Sequence, residues 1–290
     1  MKIQTLSLVT PPGCNAKCPY CVGRMTCKVD AQPDNISNRN NLRKCIDLAR
    51  LSGVTTAIIT GKGEPTLFPL YVEDYIESCR DFPFVELQTN GILLAGSDSP
   101  LWESLERWVR MGLTHVAISI AHYDPALNKK IFGKGYNIDV LIKRLHEMGL
   151  TVRVNCIMVK DYIDSYAKVY NWDSPSLVSW AKGAGVDQLT IRPVAIPGTS
   201  HTGETTFYWT REHLLSVSEL QNIKSHINNI GTRILRLSHG AIVYDVHGQN
   251  VCLTDCLTED EDVNEIRQLI FMPDGSIRYS WQHEGAILLR

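Results

Sequence analysis

The chain has 290 residues, of which 44% are hydrophobic and 21% are charged, and its formal net charge is −2. This composition supplies enough apolar surface for a core and excludes a chain dominated by disorder. The near-neutral charge argues against general nucleic-acid binding, and no apolar run approaches the roughly 18 residues that span a bilayer. Because no secretory signal pattern is visible at the N-terminus, we expect a cytoplasmic protein without a membrane partner.

The first two thirds of the chain alternate between strand patterns and amphipathic helix patterns. Strands are predicted at 3–10, 56–61, 84–91, 115–122, 151–159 and 187–194. Helices are predicted at 39–53, 71–81, 101–112, 137–149 and 176–185. Strands that alternate with helical crossovers predict a parallel sheet, and six such units predict an α/β fold arranged as a partial (β/α)6 barrel, short of a full one.

The pattern changes after about residue 200, where one long helix is predicted at 210–231 and short strands with turns follow it. We therefore predict a barrel core at 1–200 and a β-rich extension at 201–290 that covers the barrel mouth. Ligands of parallel β/α folds bind at the carboxyl ends of the strands. The loops that follow the strands are therefore the places where a functional site is expected.

The loop after the first strand carries three of the nine cysteines, Cys14, Cys18 and Cys21, in a C-x3-C-x2-C pattern. An odd cysteine number without a secretory signal is atypical of a disulfide framework. Thiolates select zinc, Cu(I) or iron–sulfur clusters. A structural zinc site needs a fourth ligand, which Cys27 or a nearby His would have to supply. Three thiolates on a four-iron cluster would instead leave one iron open for a reaction.

This cysteine pattern, with Tyr20 before the last cysteine, resembles the signature of the radical SAM superfamily over about residues 3–195. The resemblance implies that Cys14, Cys18 and Cys21 hold a 4Fe–4S cluster whose open iron binds S-adenosylmethionine (SAM). It also implies that an electron from the cluster cleaves SAM to a 5′-deoxyadenosyl radical. An electron donor such as flavodoxin or ferredoxin and a small-molecule substrate are implied as partners, without nucleic acid.

The second predicted strand ends in Gly61, Lys62, Gly63 and Glu64. This run resembles the Gly-Gly-Glu motif of the family, with Lys62 in place of one glycine. Glycine allows close backbone approach, so the resemblance implies that this loop meets the methionine ammonium of SAM while Glu64 steadies it. The alternative is a plain turn between a strand and a helix.

The third and fourth strand ends also resemble cofactor-contacting positions, in a pattern closest to the molybdopterin-precursor cyclase branch. Asn90 lies in a Thr-Asn-Gly run, although an Asn-Gly turn explains it equally well. Ser119 resembles a cofactor-contacting serine, and Tyr20 would lie beside the adenine. His122, Tyr123 and Asp124 follow the fourth strand and either face the substrate or, for Asp124, cap the next helix.

Arg153 and Asn155 on the fifth strand resemble the Lys/Arg-x-Asn pattern of the same branch, and they share one face because they are two residues apart. A salt bridge at the barrel rim is the alternative for Arg153. For Arg192, at the end of the sixth strand, the resemblance implies a place near the adenine of SAM, and an anionic substrate is the alternative partner. We interpret Arg153 and Arg192 as guanidinium groups at the mouth that suit a carboxylate or phosphate.

The C-terminal region contains Cys252 and Cys256 in a C-x3-C pattern, which resembles the cluster-binding extension of several radical SAM branches. Ser280 and Trp281 stand where a further cysteine is usual, so the interpretation is a degenerate extension in preference to a second cluster. The chain ends without the Gly-Gly tail of the molybdopterin-precursor cyclase, which disfavours that activity. No peptide-recognition domain precedes the first strand, which disfavours a ribosomal-peptide substrate.

The leading prediction is therefore a radical SAM enzyme that abstracts hydrogen from a small polar or anionic metabolite or nucleotide in a biosynthetic pathway. One alternative is a peptide-modifying enzyme of the same superfamily with a second cluster. The other is a non-catalytic iron–sulfur or zinc protein. Because function depends on the site and not on the fold, the sequence leaves the substrate open.

Overall fold

The computed structural model describes residues 2–26, 38–96, 98–160, 176–198, 205–237, 239–254 and 265–290. Its strands are β1 (Lys2–Thr10), β2 (Thr56–Gly61), β3 (Phe84–Thr89), β4 (His115–Ile120), β5 (Thr151–Met158), β6 (Gln188–Pro193), β7 (Thr232–Arg236), β8 (Ile242–Val246), β9 (Gln249–Leu253), β10 (Glu265–Phe271), β11 (Ile277–Arg278) and β12 (Ile287–Leu289). Its helices are α1 (Val22–Met25), α2 (Arg39–Leu51), α3 (Pro69–Cys79), α4 (Leu101–Met111), α5 (Pro125–Phe132), α6 (Ile138–Glu147), α7 (Leu177–Gly183), α8 (Thr205–Glu212) and α9 (Val217–Ile230), with a 3-10 turn at Pro65–Leu67.

Strands β1 to β6 lie side by side in chain order, and each pairs in parallel with the next. Helices connect these strands, as a series of βαβ units requires. The sheet does not close on itself. The predicted α/β class with a partial (β/α)6 barrel is therefore confirmed.

The main core lies between the sheet and the helices. On β5, the alternate residues Val152, Val154 and Cys156 are fully buried, and they belong to the same core as Leu141 and Leu145 of α6. The intervening side chains of β5 are only half-buried. Because successive side chains of a strand point to opposite faces, these half-buried residues lie on the inner face of the barrel, away from the helices.

The strands after residue 231 extend the core sheet at both edges. Strand β10 pairs in parallel with β1, and β11 and β12 continue from it. Strand β9 pairs in parallel with β6, and β8 and β7 continue on that side. The β-rich region predicted from the sequence is thus present, and its strands belong to the same sheet as the barrel strands. A boundary near residue 200 stays a prediction.

The single helix predicted at 210–231 is wrong, because the structure has α8 and α9 with a break between them. Ser216 begins α9 with a capping box, in which its hydroxyl accepts from the Glu219 N–H at 3.3 Å. The Glu219 carboxylate accepts in return from the Ser216 N–H at 2.6 Å. This reciprocal pair satisfies backbone donors that a continuous helix would bond internally.

Helix α5 was not among the predicted helices. Asp124 is its N-cap, and its carboxylate accepts from the N–H groups of Ala126 at 2.7 Å and Leu127 at 3.2 Å. The capping alternative for Asp124 is therefore the one the structure supports. None of the helices in the described residues combines the length and apolar character needed to cross a membrane.

Candidate active site at the cysteine loop and the inner face of the barrel

The cysteine loop follows β1 directly, with Cys14 exposed and with Cys18 and Cys21 half-buried. The loop is held by the Lys17 N–H, which donates to the Phe132 carbonyl at 3.2 Å, and Cys21 is the N-terminal flanking residue of α1. Burial, and then negative charge on Cys21 and Cys14, raises the pKa of Cys18 to about 12. A bound metal reverses this effect, because a coordinating thiol is deprotonated.

The donor set of this loop fits an iron–sulfur cluster. Among the described residues, no group of three or more His, Cys, Asp or Glu side chains is arranged to hold a metal ion. A four-iron cluster has a different requirement, because each cysteine binds its own iron and the thiolates need not converge on one point. Cys14, Cys18 and Cys21 are free thiols on one loop. Cys27, the further ligand considered for zinc, lies outside the described residues.

The loop after β2 packs directly against the cysteine loop. The Glu64 N–H donates to the Gly13 carbonyl at 2.7 Å. A Cβ atom on Gly63 would lie only 1.9 Å from the same Gly13 oxygen. This approach is possible only without a side chain at residue 63, so glycine is required here for contact between the two loops.

The other two residues of the Gly-Lys-Gly run also contact the cysteine loop region. A Cβ atom on Gly61 would lie 2.7 Å from Oγ1 of Thr10, the last residue of β1. The Lys62 ammonium donates to Oγ1 of Thr26 at 3.1 Å, just beyond α1. The lysine that replaces a glycine of the family motif therefore reaches across to the far end of the cysteine loop.

Glu64 joins the ends of β2 and β3. It is 1% exposed, and its carboxylate accepts from Thr66 Oγ1 at 2.7 Å, from Thr89 Oγ1 at 2.6 Å and from the Asn90 N–H at 2.7 Å. Burial raises the pKa of Glu64, while the hydrogen bonds from Thr89, Asn90 and Thr66 oppose the rise. These contacts hold the loop after β2 against the end of β3.

Asn90 lies beside the cysteine loop. Its amide nitrogen donates to Asn15 Oδ1 at 2.7 Å and lies 3.9 Å from the Cys14 sulfur. The Tyr136 hydroxyl donates to the Asn90 carbonyl at 2.7 Å. The amide nitrogen of Asn15 is buried without a hydrogen-bond partner in the described part of the chain. Sequence reasoning missed Asn15 and Tyr136, because their contacts with Asn90 span long stretches of chain.

Tyr20, on the cysteine loop itself, is buried against α8. Its ring centroid lies 6.1 Å from that of Trp209, and Trp209 stacks on His213 at 3.7 Å. Burial raises the pKa of Tyr20 well above its ordinary value. The sequence did not identify Trp209, because the long helix predicted from residue 210 obscured the separate helix α8. Together these aromatic rings shield one side of the cysteine loop from solvent.

The inner face of the sheet is polar across the neighbouring strands β4, β5 and β6. Ser119, Asn155 and Thr190 lie opposite one another on β4, β5 and β6. The Ser119 and Asn155 side chains are half-buried and make no hydrogen bond within the described residues. Arg192 is exposed near the end of β6, opposite Ile157. Full β/α barrels fill this position with branched apolar residues, so a polar inner face is suited to a ligand.

A hydrogen-bonded network, here called the barrel floor, lies on the same face and consists of Thr60, Gln88, Glu86 and Arg153. In strand register it begins two residues before the row of Ser119 and Asn155. Thr60 Oγ1 donates to Gln88 Oε1 at 3.0 Å, and the Gln88 amide donates to Glu86 at 3.0 Å. The Arg153 guanidinium contacts both oxygens of the Glu86 carboxylate.

The expectation that Arg153 lies at a strand end is wrong. Arg153 is the third residue of the eight-residue strand β5, and its charge is paired with Glu86. The salt-bridge alternative is correct for this residue, although the pair lies inside the barrel and not at its rim.

Cys252 lies on β9, where it is 7% exposed and opposite Thr190. It packs with Ala241, Val243 and Leu237. Cys256, the other cysteine of the C-x3-C pattern, lies outside the described residues. Cys252 is therefore part of a small apolar cluster in the sheet.

These features define a β/α-barrel protein with a thiolate site at the carboxyl ends of its strands. The sequence profile of the radical SAM superfamily matches residues 8–172, and the chain belongs to this superfamily. Its cofactors are therefore a 4Fe–4S cluster and SAM, which confirms the resemblance read from the cysteine pattern.

Curated relatives include a GTP 3′,8-cyclase of Vibrio cholerae, which is 25% identical over 223 residues, or 75% of this chain and 60% of the relative. The FeMo cofactor biosynthesis protein NifB of Sinorhizobium fredii is 22% identical over 256 residues, or 80% of this chain and 48% of the relative. The chain thus spans about half to three fifths of the length of these relatives. SuiB of Streptococcus suis shares the fold, with a TM-score of 0.59 at 15% identity over 96% of this chain and 60% of SuiB.

Proposed function

We propose that the protein is a radical SAM enzyme that reductively cleaves SAM and abstracts a hydrogen atom from a small polar substrate inside the barrel. The observation that carries this proposal is the contact between two loops: the three-cysteine loop and the Gly-Lys-Gly loop pack together through Gly13, Gly63 and Glu64. A ligand of the cysteines and a group bound by the second loop would therefore be neighbours. The superfamily membership of the chain supports the same activity.

In the proposed mechanism, Cys14, Cys18 and Cys21 would hold the cluster, which together with SAM would supply a 5′-deoxyadenosyl radical. Asn90 lies near the Cys14 sulfur, and hydrogen bonding near a cluster sulfur is one way in which a protein sets its potential. Glu64 positions the backbone of the second loop and of Asn90 through its buried carboxylate.

Other residues of the site bind and shield. Gly61, Lys62 and Gly63 offer backbone groups to the methionine portion of SAM, and Ser119, Asn155 and Arg192 lie further around the same end of the barrel. Tyr20 and Trp209 exclude water from one side of the cysteine loop, as a reactive radical requires. A reduced flavodoxin or ferredoxin is the proposed electron donor.

The peptide-modifying alternative requires a second cluster. The position of Cys252 within an apolar cluster of the sheet favours a structural role for this cysteine and thus a degenerate extension. The non-catalytic alternative differs in one measurable respect, because a sensor or scaffold would bind metal without cleaving SAM.

The test is anaerobic reconstitution of the wild-type protein and of Cys18→Ala. Wild type should bind about four irons per chain, as one 4Fe–4S cluster requires, and should form 5′-deoxyadenosine from SAM after reduction. Cys18→Ala should lose both the visible absorbance of the cluster and this product. Cys45→Ala is the matched control, because Cys45 is a fully buried thiol in α2 outside the motif. Full SAM cleavage by Cys18→Ala would contradict the proposal, and bound iron without cleavage in wild type would favour the non-catalytic alternative.

A further inference from the structure

Two features of the inner face of the barrel restrict what it can bind. Glu86 and Arg153 neutralise each other, and some buried polar atoms on this face have no hydrogen-bond partner in the described part of the chain. We infer that the substrate is a neutral, polyhydroxylated molecule, such as a sugar or a nucleoside, whose hydroxyl groups face the barrel floor and the hydroxyls above it. This inference rests on the proposed function, because it assigns the substrate class of the same site.

The first argument concerns position. The outer side chains of β1 to β6 belong to the apolar core under the helices, whereas the barrel floor lies on the opposite face. Ser7 lies opposite Ile58, and Ile58 lies opposite Glu86. Ala117 lies opposite Arg153. Ser7, Glu86 and Arg153 therefore share the inner face, and the small side chain of Ala117 leaves room for Arg153 to reach Glu86 across β4.

The second argument concerns charge. Glu86 is only 4% exposed, and both of its oxygens contact the Arg153 guanidinium, so the pair contributes no net charge to the interior. Burial also lowers the pKa of His115, which lies opposite Glu86, and this favours the neutral imidazole. Arg153 on β5 lies opposite Gln188 on β6, and Arg192 follows Gln188 by four residues, or about 13 Å along β6. Among the described residues, an anion on the barrel floor would lack a compensating charge and would be strongly disfavoured.

The third argument concerns unpaired polar atoms. Ser7 Oγ, Thr190 Oγ1 and Arg153 Nε are buried and have no hydrogen-bond partner in the described part of the chain. Ser7 is 0% exposed and Thr190 is 8% exposed. Buried polar groups are normally paired, so such a set indicates a missing partner. Thr190 Oγ1 and Arg153 Nε lie on the neighbouring strands β6 and β5, whereas Ser7 borders the apolar cluster of Val9 and Ile270. A hydroxyl and an N–H donor match a ligand whose groups both donate and accept, which is the property of hydroxyls.

Ser119 and Asn155 extend this set toward the cysteine loop. Ser119 lies opposite Asn155, and Asn155 lies opposite Thr190, so one polar row crosses the barrel above the floor. A polyhydroxylated ligand could therefore contact the floor and this row together. The reacting carbon would then lie on the side of the ligand that faces the strand ends, where the cysteine loop is found.

The experiment measures 5′-deoxyadenosine formation by reconstituted wild-type holoenzyme with SAM and dithionite. The probes are matched pairs: glucose with glucose 6-phosphate, ribose with ribose 5-phosphate, and guanosine with GMP. At least one neutral probe should raise the rate of 5′-deoxyadenosine formation above the basal level. The increase should be about tenfold larger than the increase caused by its phosphate, which is the ratio expected from one lost hydrogen bond or one buried unpaired charge. A phosphate that stimulates better than its neutral partner overturns the inference, and so does a panel in which no neutral member stimulates.

Basal cleavage without any probe separates the two proposals. If reduced wild-type holoenzyme forms no 5′-deoxyadenosine under any condition, the proposed function fails. If it cleaves SAM and prefers the phosphorylated probes, only the assigned substrate class fails.

A charge-balance series tests the role of the ion pair. Glu86→Gln keeps the shape of the side chain and leaves Arg153 without its counter-charge, so the preference should shift about tenfold toward the phosphate of each pair. The double variant Glu86→Gln with Arg153→Gln removes both charges and should restore the neutral preference. Arg39→Gln is the control, because Arg39 pairs with Asp74 at 2.7 Å on the exposed outer surface. An unshifted preference in a folded Glu86→Gln protein contradicts the inference, and the wild-type panel decides if that variant does not fold.

Discussion

Gly63 defines the contact between the two loops that carry the site, because its missing side chain lets the Gly13 carbonyl accept from the Glu64 N–H. In Gly63→Ala, the added Cβ would begin 1.9 Å from the Gly13 oxygen, so one of the two loops must move. A displacement of about 1 Å can cost roughly a hundredfold in activity. We expect lower iron content after reconstitution and SAM binding at least about tenfold weaker, measured by equilibrium dialysis.

Gly183→Ala is the control for this substitution. Gly183 is the last residue of α7, and a Cβ atom there would meet no atom within 4 Å. Alanine at such a position stabilises a helix by up to about 1 kcal/mol, so cluster content and SAM binding should equal those of wild type. If Gly63→Ala behaved in the same way as Gly183→Ala, the close contact between the two loops would not matter for cofactor binding.

For Arg153, the sequence predicted the strand and the face but not the partner of the side chain. Its position on a strand was predictable, and so was the face that it shares with Asn155. Its partner was not predictable, because Glu86 lies two strands away and is reached only across the small side chain of Ala117. No periodicity in one strand encodes a contact of this kind.

At the scale of elements, local signals predicted the barrel well. The six core strands and the helices between them follow from alternation of apolar residues, which depends on neighbours in sequence. The capping box at Ser216 and Glu219, which breaks the helix predicted at 210–231, also has a readable local pattern. The pairing of β10 with β1 could not be predicted, because it joins segments from opposite ends of the chain and no local pattern specifies it.

The connection between β4 and α5 depends on a neutral histidine. His122 is 2% exposed, and its Nδ1 accepts from the Asp124 N–H at 2.8 Å, just where Asp124 caps α5. Burial lowers the pKa of His122 below 6.5, and the charge of Asp124 only partly opposes this. The unfolded chain therefore binds a proton more readily than the folded one, and the stabilisation by His122 is complete above pH 6.5 and is lost as the pH falls toward the folded pKa.

We predict that the free energy of unfolding in urea falls more between pH 7.5 and pH 5.5 for wild type than for His122→Asn. Asparagine offers an oxygen near the position of Nδ1 and does not titrate, so it keeps an acceptor for the Asp124 N–H at both pH values. The other titrating groups are common to both proteins and cancel in the comparison. Equal pH dependence in the two proteins would show that His122 stays in the same protonation state over this range.

At the scale of the whole molecule, the C-terminal strands support both edges of the barrel sheet. Leu269 of β10 lies opposite Leu6 of β1, and Leu253 of β9 lies opposite Ile191 of β6. All four side chains belong to one core cluster. A chain with this connectivity should unfold as one unit, since loss of β10 would uncover the core at β1.

Leu269→Ala tests this expectation, because Leu269 is fully buried and a truncated leucine in a core costs about 2–5 kcal/mol. We predict that urea unfolding of this variant shifts to lower concentration as a single transition, with tryptophan fluorescence and far-UV circular dichroism changing together. Leu288→Ala in the edge strand β12 is the control, since Leu288 is 44% exposed and a surface substitution changes stability by about 0.5 kcal/mol or less. If Leu269→Ala instead produced two transitions and shifted only one of them, the residues on either side of position 200 would be separate folding units.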